Sequence, residues 1–198
     1  MTWPWPEGES WRVSGTHHAI TNGVWSSLDM LDGKGTCDWK VDHSCTEDTP
    51  LVYSMFTGTV RSVSKCQLTI VHSTGWGIKY YHMDKIMVKE LEIVNRSQPI
   101  GRYAGHYKTA LCHGGVTIKP HLHIDLIDPS GSFTSFDGQI INGYKIKAGI
   151  MDYDTDCMRT YFEKDNSKYC PSGDGVDGDK ILNSNEKSKT RDGTSPSG

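Results

Sequence analysis

The chain has its clearest pattern of polar and apolar positions at residues 120–126. Three polar side chains, His121, His123 and Asp125, alternate there with aliphatic ones. Because a β-strand sends successive side chains to opposite faces, the pattern predicts a strand with one core face and one face that carries two histidines. A strand holds two such imidazoles in parallel, and imidazole is the commonest protein ligand for metals such as zinc. The alternative is a surface strand that carries two histidines by chance, so the rest of the chain has to decide.

Other segments rich in β-branched and aromatic residues predict further strands, which glycine and serine turns separate. The predicted elements are strand, loop and strand at 10–32, strands at 51–56, 59–64, 66–72, 77–83, 87–94 and 100–104, hairpins at 132–150, and a last strand pair between Cys157 and Cys170. No segment shows the sustained apolar period of 3.6 residues that an amphipathic helix needs. The pattern therefore predicts a mostly β fold, with an antiparallel sheet or sandwich core and long loops.

The composition changes after Cys170, which predicts a domain at 1–170 followed by a polar segment at 171–198. This segment has no aromatic residue and few aliphatic ones, so it cannot bury enough surface to offset the entropy of ordering. We expect a flexible tail or linker. Oxygen-bearing side chains at 175–186 are spaced like those of a calcium loop, and bound Ca²⁺ is the alternative. Gly175 at the first ligand position and Lys180 at the turn glycine weigh against it.

Charge and hydropathy exclude several classes of protein. The net charge is -3 and the pI is about 6.3, which does not indicate a surface for nucleic acid or an anionic membrane. No apolar run approaches the length of a membrane span, and no signal-peptide core follows Met1. We therefore expect neither nucleic acid nor membrane as a partner, and a chain that is either cytosolic or a mature form without its leader.

The cysteines favour the second of these locations. Six are present, and none of them forms a Cys-x-x-Cys pair. Disulfides are then the economical interpretation, and they imply an oxidising compartment outside the cell. Cys37 and Cys45 lie in a segment at 33–50 rich in Gly, Asp and Thr, which predicts a surface loop closed by a short disulfide. The alternative is a cytosolic protein with six reduced, buried cysteines.

A catalytic zinc site needs three protein ligands and one open position. His123 could supply one ligand. The segment at 15–32 offers His17 or His18 together with Asp29 or Asp32. Two neutral imidazoles and one carboxylate would leave the metal a net positive charge, with which it polarises a carbonyl group and acidifies bound water.

Six motifs occur in the order found in a known family. They are GTH at 15–17, SSLD at 26–29, STGWGIKYYHM at 73–83, ALCHGG at 110–115, PHLH at 120–123 and YDTDC at 153–157. With these motifs the chain resembles the lysostaphin-type zinc endopeptidases, specifically the LasA (staphylolysin) and beta-lytic endopeptidase branch, over about residues 3–170. The resemblance implies their duplicated hybrid motif-like fold, and it implies a secreted zinc metalloendopeptidase.

The resemblance also implies the metal ligands. His17, Asp29 and His123 match the family's ligands for one Zn²⁺ per chain. The connection between the first two is shorter than is usual in the family and carries a second histidine, so His18 remains an alternative to His17. Asp125 stands where the family commonly has Ser. On its strand it faces the same side as the two histidines, where it either orients a ring nitrogen behind the metal ligands or meets solvent.

The catalytic groups and disulfides follow from the same resemblance. His121 and His82 match the histidines that act as general base and acid while a metal-bound water attacks the scissile carbonyl. Tyr81 and Tyr153 match tyrosines that stabilise the oxyanion, for which a neutral hydroxyl donor is suited. The resemblance implies two disulfides, Cys66–Cys112 and Cys157–Cys170, while Cys37 and Cys45 lie outside the branch's pattern.

Three functions are compatible with at least part of the sequence. The first is a secreted, bacteriolytic, monomeric enzyme that cleaves Gly-Gly or X-Gly bonds in peptidoglycan cross-bridges or in other Gly-rich peptides. The second is a non-catalytic cell-wall-binding or regulatory module of the same fold, but such modules lose ligands and this chain keeps every one. The third, a disulfide-stapled adhesion or lectin-like β-domain, explains the cysteines and tryptophans but not the two separate His/Asp clusters.

Overall fold

The computed structural model describes residues 1–19, 23–173 and 177–184. Its strands, numbered in chain order, are β1 (Ser10–Val13), β2 (Ser27–Leu31), β3 (Leu51–Tyr53), β4 (Gly58–Val63), β5 (Leu68–Val71), β6 (Gly77–Tyr81), β7 (Met83–Asp84), β8 (Ile93–Val94), β9 (Pro99–Tyr103), β10 (Leu122–Ile127), β11 (Ile140–Ile141), β12 (Tyr144–Lys147), β13 (Tyr161–Lys164), β14 (Ser167–Tyr169) and β15 (Lys180–Leu182). In this part of the chain the helix content is one turn, α1 (Tyr107–Ala110). The prediction of a mostly β fold is confirmed.

The large sheet places the histidine strand near its centre. Its strand order is β15-β1-β2-β10-β6-β5-β4-β8, and all of these neighbours are antiparallel. Along β10, His123 lies opposite Asp29 of β2 on one side and Tyr81 of β6 on the other. The aliphatic residues that alternate with the polar ones, Leu122, Ile124 and Leu126, are fully buried, as the alternation predicts.

Two smaller sheets flank the large one and help to close the core. One has the order β11-β12-β13-β14 and the other β3-β9-β7. The N-terminal segment adds a stack of indole rings, with Trp5 5.0 Å from Trp3 and 5.3 Å from Trp11 between ring centroids. All three rings are buried, so aromatic packing takes much of the place that helices fill in other folds.

The strand predicted at 87–94 is wrong except at its end. Strand pairing is confined to Ile93–Val94, and a turn at 90–91 precedes it, although Val88 is buried in the core. Leu91 adopts a left-handed backbone conformation with φ of 67°, which a strand does not allow. Glu92 N donates to Lys89 O in the same turn. The segment bonds to its neighbours only at separate points, with Met87 N donating to Ile100 O and Leu91 N donating to Val60 O, so its β propensity did not produce a continuous strand.

The folded domain also continues past the boundary predicted at 170. Strand β15 pairs with β1, where Ile181 lies opposite Trp11 and is completely buried. The amide of Asn183 donates to the Trp5 carbonyl and accepts from Asn142 Nδ2 at 2.7 Å. The prediction of a flexible tail from 171 is therefore wrong for residues 177–184. One apolar side chain and one buried amide suffice to anchor this edge strand. Residues 185–198 lie outside the described part.

The calcium-loop pattern at 175–186 finds no support in the residues that are described. Asp179 uses Oδ2 to accept a hydrogen bond from Cys170 N at 2.7 Å, and Asn183 is buried against the N-terminal segment. Gly175 and Glu186 lie outside the described residues. Two of the expected oxygen ligands thus serve the fold instead.

All six cysteines form disulfides. The pairs are Cys37–Cys45, Cys66–Cys112 and Cys157–Cys170, so the three predicted pairs are confirmed. Within the described residues, the structure contains no helix of the length and hydropathy needed to cross a membrane.

Candidate active site

Three side chains from neighbouring segments converge above the centre of the large sheet. Asp29 lies on β2, His123 on β10, and His17 on a segment that is bridged to the start of β2. His123 Nδ1 is 2.8 Å from Asp29 Oδ1 and 3.3 Å from His17 Nε2, and His17 Nε2 is 3.6 Å from Asp29 Oδ1. Each residue offers one ligand atom, and these atoms lie within 4.8 Å of one another. Two imidazoles and one carboxylate at this spacing fit the donor set of a catalytic metal.

The structure separates the alternatives that the sequence left open. His18 turns away from the cluster and places Nδ1 2.8 Å from Asp152 Oδ1 at the surface. Asp32 is buried elsewhere and accepts a hydrogen bond from the Tyr103 hydroxyl at 3.1 Å. His17 therefore joins the cluster, and neither His18 nor Asp32 does.

Asp125 lies behind His123 rather than in solvent. It is only 2% exposed, and its Oδ1 accepts from His123 Nε2 at 3.0 Å and from Ser27 Oγ at 2.6 Å. Lys79 Nζ is 3.6 Å from its Oδ2. A carboxylate on one ring nitrogen fixes the other ring nitrogen toward the cluster, which is the usual arrangement behind a metal-binding histidine.

Sequence reasoning missed Ser27 and Lys79 as partners of Asp125. The pairing of the strands could have found them, because Asp125 lies opposite Ser27 on β2 and opposite Lys79 on β6. Once His123 is paired with Asp29, the residue two positions earlier on β2 must face Asp125.

The two other predicted histidines stand beside the cluster. The ring centroids of His82 and His121 are 4.7 Å apart, and His121 Nε2 is 3.5 Å from Asp29 Oδ1. Backbone carbonyls hold both rings: His82 Nδ1 donates to Ala110 O at 2.7 Å, and His121 Nδ1 donates to Lys119 O at 2.9 Å. A neutral ring that donates from Nδ1 has its lone pair on Nε2. Both rings can therefore accept a proton at Nε2.

The two predicted tyrosines border the same cleft. Tyr81 donates its hydroxyl proton to Gly114 O at 2.6 Å, and Tyr153 donates to Asp29 Oδ2 at 3.0 Å. The Tyr153 ring stacks on His17, with centroids 4.3 Å apart and planes at 16°. Tyr153 has a left-handed backbone with φ of 55°. Its neighbour Asp154 lies so close to Gly15 that any side chain at Gly15 would collide with the Asp154 backbone. The glycine thus lets this strained segment lie against the cluster.

Burial and charge set the ionisation of these groups. Burial, together with the charges of His121 and His123, lowers the pKa of His82 to about 3. Burial opposes ionisation of Asp29, but the charge of His121 and hydrogen bonds hold its pKa well below the usual range. Burial also opposes a charge on His123, but the hydrogen bonds that it donates to Asp125 and Asp29 raise its pKa to about 10. The side chains alone thus form a site with a carboxylate at its centre and a neutral imidazole at its rim.

The cluster opens into a cleft of about 530 Å³. Gly114, Gly115 and Val116 line one side of it, and Phe133 lines another. A second, more apolar cleft of about 390 Å³ shares Asp29, His121 and Tyr153 with the first. The two clefts together give an extended chain a path across the cluster.

Comparisons with known proteins agree with this geometry. Residues 39–135 match the model of peptidase family M23. Protease LasA of Pseudomonas aeruginosa is 39% identical over 163 residues, which cover 82% of this chain and 37% of that protein. The beta-lytic metalloendopeptidase of Lysobacter enzymogenes is 34% identical over 172 residues, which cover 86% of this chain and 92% of that protein. The chain belongs to peptidase family M23.

A solved structure supports the assignment to M23. The M23 metalloprotease pseudoalterin, described as from the deep sea, superposes with a TM-score of 0.79 at 32% identity, covering 86% of this chain and 94% of that one. M23 is a family of metallopeptidases, so membership implies a metal, which is typically zinc. Within the described residues, the cluster of His17, Asp29 and His123 offers a donor set that fits such an ion.

Proposed function

We propose that this M23 chain is a secreted zinc endopeptidase that hydrolyses Gly-Gly or X-Gly bonds in the peptide cross-bridges of bacterial cell walls and thereby lyses the cell. The observation that carries the proposal is the convergence of His17, Asp29 and His123 beside the paired rings of His82 and His121. A structural domain would have no use for a buried cluster of this composition, whereas a metallopeptidase needs a metal site flanked by proton-transfer groups.

In this proposal His17 Nε2, Asp29 Oδ1 and His123 Nδ1 hold the zinc ion. When bound, zinc supplies a Lewis acid that polarises the scissile carbonyl and lowers the pKa of a water molecule. Asp125 fixes the ring of His123, and Tyr153 holds the second oxygen of Asp29 at 3.0 Å. These two contacts keep the donor atoms aimed at one point before any ion arrives.

His82 and His121 carry the protons. With Nδ1 bound to a backbone carbonyl, each ring has its lone pair on Nε2. One ring accepts a proton from the attacking water at Nε2, the proton passes between the two neighbouring rings, and the second ring delivers it to the amine that leaves. Their centroid separation of 4.7 Å is short enough for both rings to serve one peptide bond. Such general acid and base groups contribute about 10²–10⁴-fold each to the rate.

Tyr81 and Tyr153 serve as donors to the oxyanion. Each hydroxyl already donates to a neighbouring oxygen, Gly114 O for one and Asp29 Oδ2 for the other. A rotation of the hydroxyl proton toward the substrate oxygen is then sufficient, since the rings are held at the cleft wall. One donor of this kind contributes roughly 3–4 kcal/mol to transition-state stabilisation.

The preference for glycine follows from exclusion. Aromatic rings and strand residues border the cleft, and in this proposal they would admit a chain without side chains and exclude bulkier residues. Gly114 and Gly115 form part of the wall, with φ values of 86° and 94°. The three disulfides support secretion, because such bonds persist in oxidising surroundings.

A single experiment tests class and specificity together. The metal content of the purified protein is measured beside the lysis of glycine-bridged and of directly cross-linked cell walls. We expect one zinc per chain and lysis of the glycine-bridged walls only. Zinc without hydrolysis of either wall or of pentaglycine would identify a binding module, and lysis of both walls would reject the glycyl specificity.

A further inference from the structure

We propose that Trp39, in the loop closed by Cys37–Cys45, is a positioning residue that locks the ring of His82 in the tautomer needed for proton transfer. The inference rests on the proposed function, since it assigns to Trp39 an effect on one of its two proton-transfer groups. Trp39 itself does not line the cleft of the cluster.

Trp39 is the centre of a second, small core behind the active site. Its side chain is 1% exposed and packs with Cys37, Ala104 and Ala110. Its ring meets Tyr107 of α1 edge-on, with centroids 5.6 Å apart and planes at 74°. The indole Nε1 donates to the carbonyl of Cys45 at 3.0 Å, which ties the ring to the far end of its own loop. The indole is thus fixed by Tyr107 at its ring and by the Cys45 carbonyl at its nitrogen.

The two alanines of this core are the residues that hold His82. Ala110 O accepts from His82 Nδ1 at 2.7 Å, and Ala104 N donates to His82 O at 2.6 Å. His82 adopts a left-handed backbone with φ of 56°, a conformation that costs a non-glycine residue energy unless its surroundings enforce it. Trp39 is the largest side chain of the buried core that contains both alanines, so loss of the indole would remove the packing behind the two residues that hold His82.

A second contact links Trp39 to the other proton-transfer group. Trp39 N donates to Ile118 O at 2.7 Å, in the segment that precedes β10. The next residue, Lys119, supplies the carbonyl that accepts from His121 Nδ1 at 2.9 Å. The main chain of Trp39 is therefore hydrogen-bonded to the residue next to the support of His121.

The metal cluster has separate supports. His17, Asp29 and His123 are held by β2, β10 and the bridge beside them, and by Asp125 and Tyr153. None of these contacts passes through the small core around Trp39. Loss of the indole should therefore disturb proton transfer and leave metal binding intact, which a general loss of structure would not do.

The experiment compares Trp39→Ala and Trp39→Phe with a matched control, Trp5→Phe. Trp5 is equally buried and lies in the stack between Trp3 and Trp11. Zinc content, kcat and KM on pentaglycine, and the ring-nitrogen NMR shifts of His82 are measured for each. The His82 signals are assigned by their absence from His82→Ala. In wild type we expect a protonated Nδ1.

In Trp39→Ala we expect one zinc per chain, a kcat at least about tenfold lower, since general acid–base groups contribute 10²–10⁴-fold, and a KM within about twofold of wild type. The His82 nitrogen shifts should move to a mixture of tautomers. Trp39→Phe should lie between Trp39→Ala and wild type, and Trp5→Phe should leave kcat and the shifts unchanged. Should Trp39→Ala fail to fold, the Cys37→Ala/Cys45→Ala double variant takes its place, with the same expected shifts.

Two results would overturn the inference. One is an unchanged kcat with unchanged His82 shifts in Trp39→Ala. The other is a parallel loss of zinc and kcat, which would make Trp39 an ordinary structural residue. The NMR arm does not depend on activity: if wild type hydrolyses no pentaglycine, the proposed function fails, while the His82 shifts still decide whether Trp39 holds the ring.

Discussion

The two sides of the cleft hold their histidines in different ways. On the metal side, His123 has a carboxylate on each ring nitrogen, Asp29 at 2.8 Å and Asp125 at 3.0 Å. On the proton-transfer side, the Nδ1 atoms of His82 and His121 meet backbone carbonyls, Ala110 O at the end of α1 and Lys119 O in the segment before β10. A carboxylate favours positive charge beside the ring, whether from a proton or from a metal, whereas a carbonyl fixes a neutral tautomer. Four similar side chains within one cleft can therefore do two kinds of chemistry.

The difference also extends to the backbone that carries each side. Asp29 and His123 lie opposite each other on paired strands. The strand register fixes the direction in which each side chain leaves the backbone, so only the rotamer is left to vary. His82 follows the end of β6 in a left-handed conformation, and its ring partner lies on the one-turn helix α1. The metal side is thus determined by the sheet and the proton-transfer side by loops and disulfides. Substitutions on the two sides should fail differently.

The largest effect is expected from removal of a metal ligand. His123→Ala and His17→Ala should each lose stoichiometric zinc and all measurable hydrolysis of pentaglycine, because two ligands cannot hold the ion against solvent. Metal analysis of the dialysed proteins measures the first effect and a peptide assay measures the second. Asp29→Ala should behave in the same way.

His18→Ala is the matched control for the first ligand. His18 is adjacent in sequence, but it pairs with Asp152 at the surface. We expect this variant to keep one zinc per chain. Full zinc in His17→Ala together with loss in His18→Ala would mean that the geometry of the cluster is wrong.

Removal of a proton-transfer group should separate zinc from activity. His121→Ala should bind one zinc per chain and stay folded, yet lose about 10²–10⁴-fold in kcat, the usual contribution of a general acid or base. His82→Ala should resemble it. Zinc analysis, circular dichroism and pentaglycine kinetics on the same preparations give the comparison. A His121→Ala protein with the wild-type rate would reject the mechanism whatever its zinc content.

The sequence predicted the metal-binding side chains better than the residues that hold them in place. Alternation along 120–126 places His121 and His123 on one face of a strand, and the motifs place them with Asp29. The choice of His17 over His18 required coordinates, because neighbouring residues in a loop have no fixed facing direction. Strand pairing decides it, since His17 is bridged to Ser27.

Long-range packing explains what the sequence did not predict. Strand β15 has no visible signal, since Ile181 and Leu182 are two aliphatic residues in a polar segment. The small core around Trp39 joins residues from three separate segments, and local patterns carry no information about such contacts. The prediction of a strand at 87–94 failed for the opposite reason: propensity indicated a strand, but the left-handed backbone at Leu91 interrupts the pairing before Ile93.

Removal of a disulfide tests whether the metal side and the proton-transfer side are independent, because it lowers the free energy of unfolding without changing a metal ligand. By the chain-entropy relation, removal of Cys66–Cys112, which spans 46 residues, should lower the free energy of unfolding by about 4 kcal/mol. Removal of Cys37–Cys45, which spans 8 residues, should lower it by about 2.5 kcal/mol. Urea unfolding of the double alanine variants measures both. Both bonds support the proton-transfer side, so folded protein should retain its zinc. Loss of zinc at temperatures where the protein is still folded would show that the two sides are not independent.

The smallest effect is expected from Asp125→Asn, which changes the metal side without removing a ligand. The amide keeps the shape of the carboxylate and can still accept from His123 Nε2, but it no longer carries the charge that balances Lys79 and makes the ring a better donor to a metal. We expect zinc affinity to fall by about 10–100-fold, as for other substitutions behind metal-binding histidines, and kcat at saturating zinc to stay within about threefold of wild type. Competition with a chelator measures the affinity.

Asp128→Asn is the control, because Asp128 lies in an exposed turn with Ser130. Equal affinity in the two variants would show that Asp125 serves only to satisfy Ser27 and Lys79 in the sheet.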